Sequence, residues 1–261
     1  MTPKILVVRK MSALEYHYNG NHKSAALKES HEEHNRNTKK ILETLKKAGF
    51  VYKVVTRDEL TEELVDEHDF VLSAGGDGTV IATAAFNKNK PQLNLKTDAK
   101  SKGALCQHDI NKALEAFIKG NYTIEKWTRQ DVYFDNKFVG RVLNETCIGE
   151  LLKLSKMARY NIKVDGKIEL QENSGIIIAT GTGSTGWPSA FEPYSKTSNI
   201  FKFKTILPTK GSESGEGSHF VIEYKKHEGK FALDTIEYDI PRDFVLEIKL
   251  SENPLKVIKL A

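Results

Sequence analysis

Cysteine is scarce. Cys106 and Cys147 are the only two in 261 residues, too few for a disulfide framework or a four-ligand structural zinc site. Long apolar runs are missing as well: no stretch nears the ~18 consecutive apolar residues of a membrane span. A strand-like run, Lys4-Ile5-Leu6-Val7-Val8, begins almost at once and leaves no room for a leader peptide. Neither sign of charge dominates, with 39 Lys and Arg against 35 Asp and Glu for a net +4. There is no basic stripe of the kind that nucleic acid or an anionic membrane surface selects. The P-loop pattern G-x-x-x-x-G-K-[ST] is absent, and no internal repeat is found. His31 and His34 stand three apart without the HExxH spacing or a third ligand, so they do not read as a metal site. The expectation is a cytoplasmic protein in a reducing compartment, without nucleic-acid or membrane partners, long enough for one large domain or two modest ones.

What is present is organised around Ser73-Ala74-Gly75-Gly76-Asp77-Gly78-Thr79. The apolar run Asp69–Ser73 reads as a buried strand, and Val80–Phe86 as a helix. Glycines permit positive φ and close backbone approach, so this turn can aim consecutive N–H groups at one spot. Thr79 is placed to cap the following helix, whose start favours an anion. Such a turn suits phosphate, yet Asp77 sits inside it. A carboxylate beside a phosphate is unfavourable unless a cation offsets it or the acid has chemistry to perform. The plainer alternative is a tight strand–helix turn whose Asp bonds to main-chain N–H groups.

Around this turn the chain reads strand 5–8, an irregular polar stretch 10–36, helix 35–48, strand 51–55, helix 59–66 and strand 70–73. That β-α-β-α-β order implies a parallel sheet with its ligand at the carboxyl ends of the strands. A strand over 92–96, a crossover 99–107 and a helix from Asp109 to Gly120 follow. Beyond Tyr122 the texture is strands and turns, with strands expected at 131–134, 138–148, 160–164, 168–170, 176–179, 219–224, 231–238, 244–250 and 256–260. Asp135-Asn136 and Asp165-Gly166 read as hairpin turns, and 210–218 as a flexible loop. The expected division is an α/β domain over 1–100 and a β-rich domain over 101–261, with the last strand free to return to the first domain.

Two further stretches carry chemistry. In Val142-Leu143-Asn144-Glu145-Thr146-Cys147-Ile148, an adjacent amide and carboxylate interrupt an apolar strand and are costly unless both find partners. Asn144 suits an adenine edge or a carbonyl, and Glu145 can accept from ribose hydroxyls. A strand-end hydrogen-bond pair and a glycosylation sequon are the other readings, the sequon being discounted without a leader. In Ile176–Trp187 a buried strand runs into Thr180-Gly181-Thr182-Gly183-Ser184-Thr185-Gly186-Trp187. The formal G-x-G-x-x-G there is not a dinucleotide fingerprint, because Trp187-Pro188 breaks the helix and no acid follows at the required spacing. Its hydroxyls can bond ribose and amide groups, and Trp187 is either a stacking face or a core aromatic.

Together Gly75–Gly78, Asn144-Glu145 and Thr180–Trp187 resemble the NAD kinase family, in its order and at similar separations. The Gly-Gly-Asp-Gly-Thr turn alone is shared with diacylglycerol and sphingosine kinases. Asn94 to Cys106, Leu143 to Glu150 and Ser174 to Trp187 resemble the mitochondrial-type branch most. The resemblance covers most of residues 1–190. Gly181 stands in place of the usual Pro, Trp187 of the usual Tyr, and Ser174 of a frequent Asp. It implies the NAD kinase and diacylglycerol-kinase-like fold, an α/β domain with a parallel sheet plus a β-rich C-terminal domain. It also implies transfer of the ATP γ-phosphate to the 2′-hydroxyl of the adenosine ribose of NAD, with Mg²⁺ accompanying ATP and polyphosphate open as a donor. On this resemblance Asp77 is the general base. Gly75, Gly76, Gly78 and Thr79 hold phosphates. Asp77, Gly78, Asn144, Glu145, Thr182, Ser184, Thr185, Trp187 and Ser189 bind NAD, and a homodimer or homotetramer is expected. A lipid kinase and a non-catalytic NAD(P) sensor are the alternatives.

Overall fold

Short runs rich in Val, Ile and Leu form the parallel sheet of the first unit. The computed structural model describes residues 2–18, 24–149, 157–187, 190–224, 229–240 and 243–260. β1 (Lys4–Arg9) pairs in parallel with β2 (Val51–Thr56) and with β3 (Phe70–Gly75), and β3 with β4 (Gln92–Lys96). The last strand, Leu255–Leu260, adds to β4 in parallel, and β5 (Tyr122–Trp127) lies beyond it. Ile5 to Val8 are wholly buried because side chains alternate between two covered faces. Ile5 and Val7 pack with Ile41 and Leu45, while Leu6 and Val8 pack with Val55, Leu60 and Val65.

The helices are α1 (Ala13–Tyr18), α2 (Ala25–Lys47), α3 (Glu62–Asp66), α4 (Asp77–Phe86) and α5 (Ile110–Lys119). The stretch 10–36 is thus not irregular. Ser24 caps α2 by accepting the Leu27 N–H, so this helix starts at Ala25 rather than at Asn35. Its first half shows no apolar period because the residues it buries are His34, Thr38, Ile41 and Leu45, all in its second half or near it. Residues 19–23 of that stretch lie outside the described residues. α5 follows the expected frame, with Asp109 accepting from Lys112 N–H and Gly120 left-handed at φ 72°.

The chain divides into two units, 1–126 with 255–261, and 127–254. The first unit runs on past residue 100 because α5 buries Ala113, Leu114 and Phe117 in the core of the parallel sheet and β5 joins that sheet.

The second unit contains β6 (Gln130–Phe134), β7 (Lys137–Val142), β8 (Glu145–Gly149), β9 (Ala158–Val164), β10 (Lys167–Asn173), β11 (Gly175–Ala179), β12 (Phe201–Ile206), β13 (Ser214–Gly217), β14 (His219–Tyr224), β15 (Gly229–Leu233), β16 (Ile236–Ile240) and β17 (Phe244–Leu250). They build two antiparallel sheets, ordered β10-β9-β14-β17-β6-β7 and β13-β12-β11-β8-β15-β16. Val132, Phe220, Ile222 and Ile248 of one sheet share a core with Ile176, Ile178, Phe201 and Phe231 of the other. Asp135 and Asn136 turn at φ 45° and 64°, and Asp165 and Gly166 at 44° and 93°, as hairpin turns of mirror-image type require.

Three expectations change here. Residues 138–148 are not one strand: β7 and β8 belong to different sheets, and the chain crosses between them at Leu143-Asn144. Residues 231–238 form the β15–β16 hairpin, turning at Asp234 with φ 53°. The expected loop 210–218 contains β13, whose Gly215 and Gly217 lie where a Cβ would strike Phe203 and Val164. No helix among the described residues is long and apolar enough to cross a membrane.

Candidate functional site

Each unit holds one cluster of the residues singled out above. In the first, the glycine turn leaves the carboxyl end of β3. None of Gly75, Gly76 and Gly78 has positive φ, so left-handed geometry is not what the glycines supply. Gly75 is required by close approach: a Cβ there would lie 2.2 Å from the Thr79 hydroxyl. At Gly76 it would lie 2.9 Å from Ser101. Beside Gly78 there is open space, and this exposed residue is free for another molecule to approach.

Thr79 is not a cap. The N-cap is Gly76, and Thr79 is the third residue of α4, buried, with its N–H given to the Gly76 carbonyl at 3.0 Å. Its amide is therefore spent inside the turn. The N–H groups of Asp77 and Gly78, in the first helical turn, have no acceptor within the helix. The part-buried Asp77 carboxylate accepts the N–H of Ala104 at 3.1 Å and of Leu105 at 2.8 Å. This is the main-chain-bonded arrangement of the plainer reading, except that the donors come from the 97–108 loop and not from the turn itself.

That loop is tied down from its other end. Lys10 Nζ meets Asp98 at 2.6 Å, Ser30 donates to the same oxygen at 2.7 Å, and the Lys100 N–H reaches the other at 3.0 Å. Burial pushes the Asp98 carboxyl up, but Lys10, Ser30 and that N–H outweigh it and hold it below its ordinary value. His34 is fully buried between the Lys10 carbonyl (3.0 Å) and the Thr97 hydroxyl (2.7 Å). A carbonyl only accepts, so Nε2 carries the proton and Nδ1 accepts from Thr97. Burial, with Lys10 nearby, lowers the imidazole to about 4, which keeps it neutral. His31 bonds Ser12 and Asn35, and no group of three or more His, Cys, Asp or Glu gathers as a metal site among the described residues.

The second cluster forms where β7 hands over to β8. Asp234, at the tip of the β15–β16 hairpin, accepts three consecutive N–H groups: Leu143 at 3.0 Å, Asn144 at 2.8 Å and Glu145 at 3.2 Å. The Asp234 N–H returns to the Glu145 carbonyl at 3.0 Å. Sequence reasoning missed this residue. The available signal was Asp234-Thr235, a polar pair breaking a run of strand-forming residues, which marks a turn.

The hydroxyl loop closes on the same corner. The Thr180 N–H donates to Asn144 O at 2.8 Å and its hydroxyl to Leu143 O at 2.6 Å. Gly183 lies so close that a Cβ would be 2.3 Å from Asn144 O and 3.0 Å from Glu145 Oε2. At Gly181 it would be 1.9 Å from Ser195 O, so the departure from Pro is what this backbone requires. Ser184 donates to Gly181 O at 2.7 Å and Thr185 to Thr182 O at 2.9 Å, so both hydroxyl hydrogens are used within the loop. Of the five buried side-chain atoms without a partner among the described residues, three gather at this corner: Asn144 Oδ1, Glu145 Oε2 and Thr182 Oγ1. Buried polar atoms are rarely left so, and a cluster of them fits a site that a polar ligand completes. Burial and the Asp234 charge raise the Glu145 carboxyl to about 7, against the pull of a Trp187 hydrogen bond. Trp187 is 39% exposed, which sets aside the core-aromatic reading. Ser189 lies outside the described residues.

No protein-family model matches the chain. In sequence it is 29% identical over 212 residues to NAD kinase 2, mitochondrial, of Homo sapiens, an alignment covering 62% of this chain and 48% of that protein. The chain spans about half the length of the mitochondrial relatives it matches. In structure it matches an NAD kinase from Archaeoglobus fulgidus in complex with ATP, with TM-score 0.71, 24% identity and coverage of 98% and 93% of the two chains. It also matches yeast NADH kinase complexed with NADH, with TM-score 0.79, 14% identity and coverage of 100% and 84%. The chain is related in sequence to NAD kinases and has the NAD kinase fold.

Proposed function

We propose that this chain, related to NAD kinases and folded like them, is itself an NAD kinase. It moves the γ-phosphate of ATP to the 2′-hydroxyl of the adenosine ribose of NAD, and the proton of that hydroxyl passes to Asp77. A ribose hydroxyl is a weak nucleophile, and a positioned base is worth about 10²–10⁴ in rate. The observation that carries the reading is the Asp77 carboxylate, fixed by two main-chain N–H groups beside the open face of Gly78. A carboxylate has about four lone-pair sites, so accepting from Ala104 and Leu105 fixes its orientation and leaves acceptor capacity for a substrate proton. The first-turn N–H groups of Asp77 and Gly78 receive a phosphate oxygen. Thr79 contributes packing over Gly75, not a donor. A divalent cation arriving with ATP neutralises phosphate charge. The Asn144 amide, the Glu145 carboxyl and the Thr182 hydroxyl take the dinucleotide, which supplies their missing partners. Ser184, Thr185 and Trp187 shape that loop, Ser189 is retained among the dinucleotide contacts, and assembly is as a homodimer or homotetramer.

Pure protein incubated with Mg-ATP and NAD yields NADP, read by a dehydrogenase that uses only NADP. Absence of NADP with any phosphate donor refutes the reading. One observation favours a second: both Asp77 oxygens already serve the main chain, which suits a non-catalytic dinucleotide sensor. Tight calorimetric binding of NADP without turnover decides for the sensor.

A further inference from the structure

Asp234 and Glu145 are two carboxyl groups at one corner, and their surroundings are unequal. Asp234 receives three N–H donors at 2.8–3.2 Å, an arrangement that stabilises the ionised form. Glu145 has a buried oxygen with no donor at all, packed against the bare backbone of Gly183. One negative charge on such a pair is far cheaper than two, and the donors decide where it sits. We propose that Glu145 meets the dinucleotide as a carboxylic acid, donating to a lone pair on the nucleotide, with Asp234 as the positioning residue that carries the charge of the pair. This inverts the acceptor's role that the sequence suggests for Glu145.

The groups facing Glu145 agree. Across the hairpin turn stands Asp234. On its own strand is Cys147, whose thiol is pushed up to about 12 by burial and then by Glu145 and Asp234. The Trp187 indole is the donor that pulls toward the carboxylate. Burial lifts Asp234 to about 6, against the three N–H donors and then Arg129, which leaves it below Glu145. The sign follows: an acid form held at neutral pH is lost as pH rises, and any affinity that depends on it goes with it.

The inference rests on the dinucleotide reading above, and NAD is the probe because its own charge is constant over the range used. Calorimetry should show wild-type affinity falling at least about fivefold from about pH 6 to about pH 8.5. Glu145→Gln, which donates at every pH, should change by less than about twofold and bind more tightly than wild type at the alkaline end. Asp234→Asn, checked for a native melting transition, should move the weakening to lower pH, whereas a merely structural role would lower affinity without moving the limb. A flat wild-type profile, or a Gln variant weaker than wild type at the alkaline end, overturns the proposal. So does a Gln variant with the wild-type slope. NAD binding with any of these results removes only this inference, while no NAD binding at any pH removes the functional reading as well.

Discussion

The Asp77 carboxylate and the Leu105 main-chain N–H meet at 2.8 Å, joining the glycine turn to a loop 28 residues away. With the Ala104 bond at 3.1 Å, this gives one side chain two duties. It fixes the loop and it presents an acceptor at the helix start.

Asp77→Asn therefore does more than remove a base. An amide offers one accepting atom, so one of the two loop N–H groups loses its partner, at about 1–3 kcal/mol. Turnover should fall at least about 10²-fold and chemical denaturation should shift to lower denaturant together. Loss of turnover with an unchanged midpoint would show that these main-chain bonds add nothing to stability.

Gly75 and Gly78 should separate packing from ligand approach. Gly75→Ala forces a Cβ toward the Thr79 side chain and should cost about 1–3 kcal/mol. Gly78→Ala meets open space and adds a better helix former, so its melting temperature should hold or rise. If nucleotide phosphate passes over Gly78, ATP affinity should drop in that variant alone, by calorimetry.

Gly181→Pro restores the residue usual in NAD kinases, yet it should destabilise this chain. The new Cβ would sit 1.9 Å from Ser195 O, and the strain should exceed about 2 kcal/mol by denaturant titration. A neutral result would mean that the 190–200 segment moves away at little cost.

Stability should fall in mild acid through His34. Its folded value of about 4 lies below the ordinary 6.5, so the unfolded chain binds the extra proton. Stability is then full above about pH 6.5 and is lost as pH falls toward 4, by up to about 3 kcal/mol for this wholly buried ring. His34→Gln should flatten the slope of unfolding free energy over that window. An unchanged slope would assign the effect to other groups.

Much of the fold was legible in both units because the signals are local. Apolar runs of five or six residues, broken by Gly, Asn and Asp, specify buried strands, and Asp135-Asn136 and Asp165-Gly166 gave correct hairpins. The start of α2 was not legible, since the first half of that helix shows no apolar period. Residues 138–148 misled for a related reason. An uninterrupted β-forming run does not reveal that its two halves serve different sheets.

The sequence by itself determined that a glycine turn carrying one acid follows a buried strand, and that an amide–carboxylate pair and a hydroxyl loop come later, because composition and spacing act over a few neighbouring residues. Only the tertiary structure decided which way those groups face. Asp77 is oriented by an N–H 28 residues on, and the Asn144-Glu145 corner by an Asp234 carboxylate 90 residues beyond Asn144. Bonds across such separations form only after the sheets have assembled, so no local pattern records them.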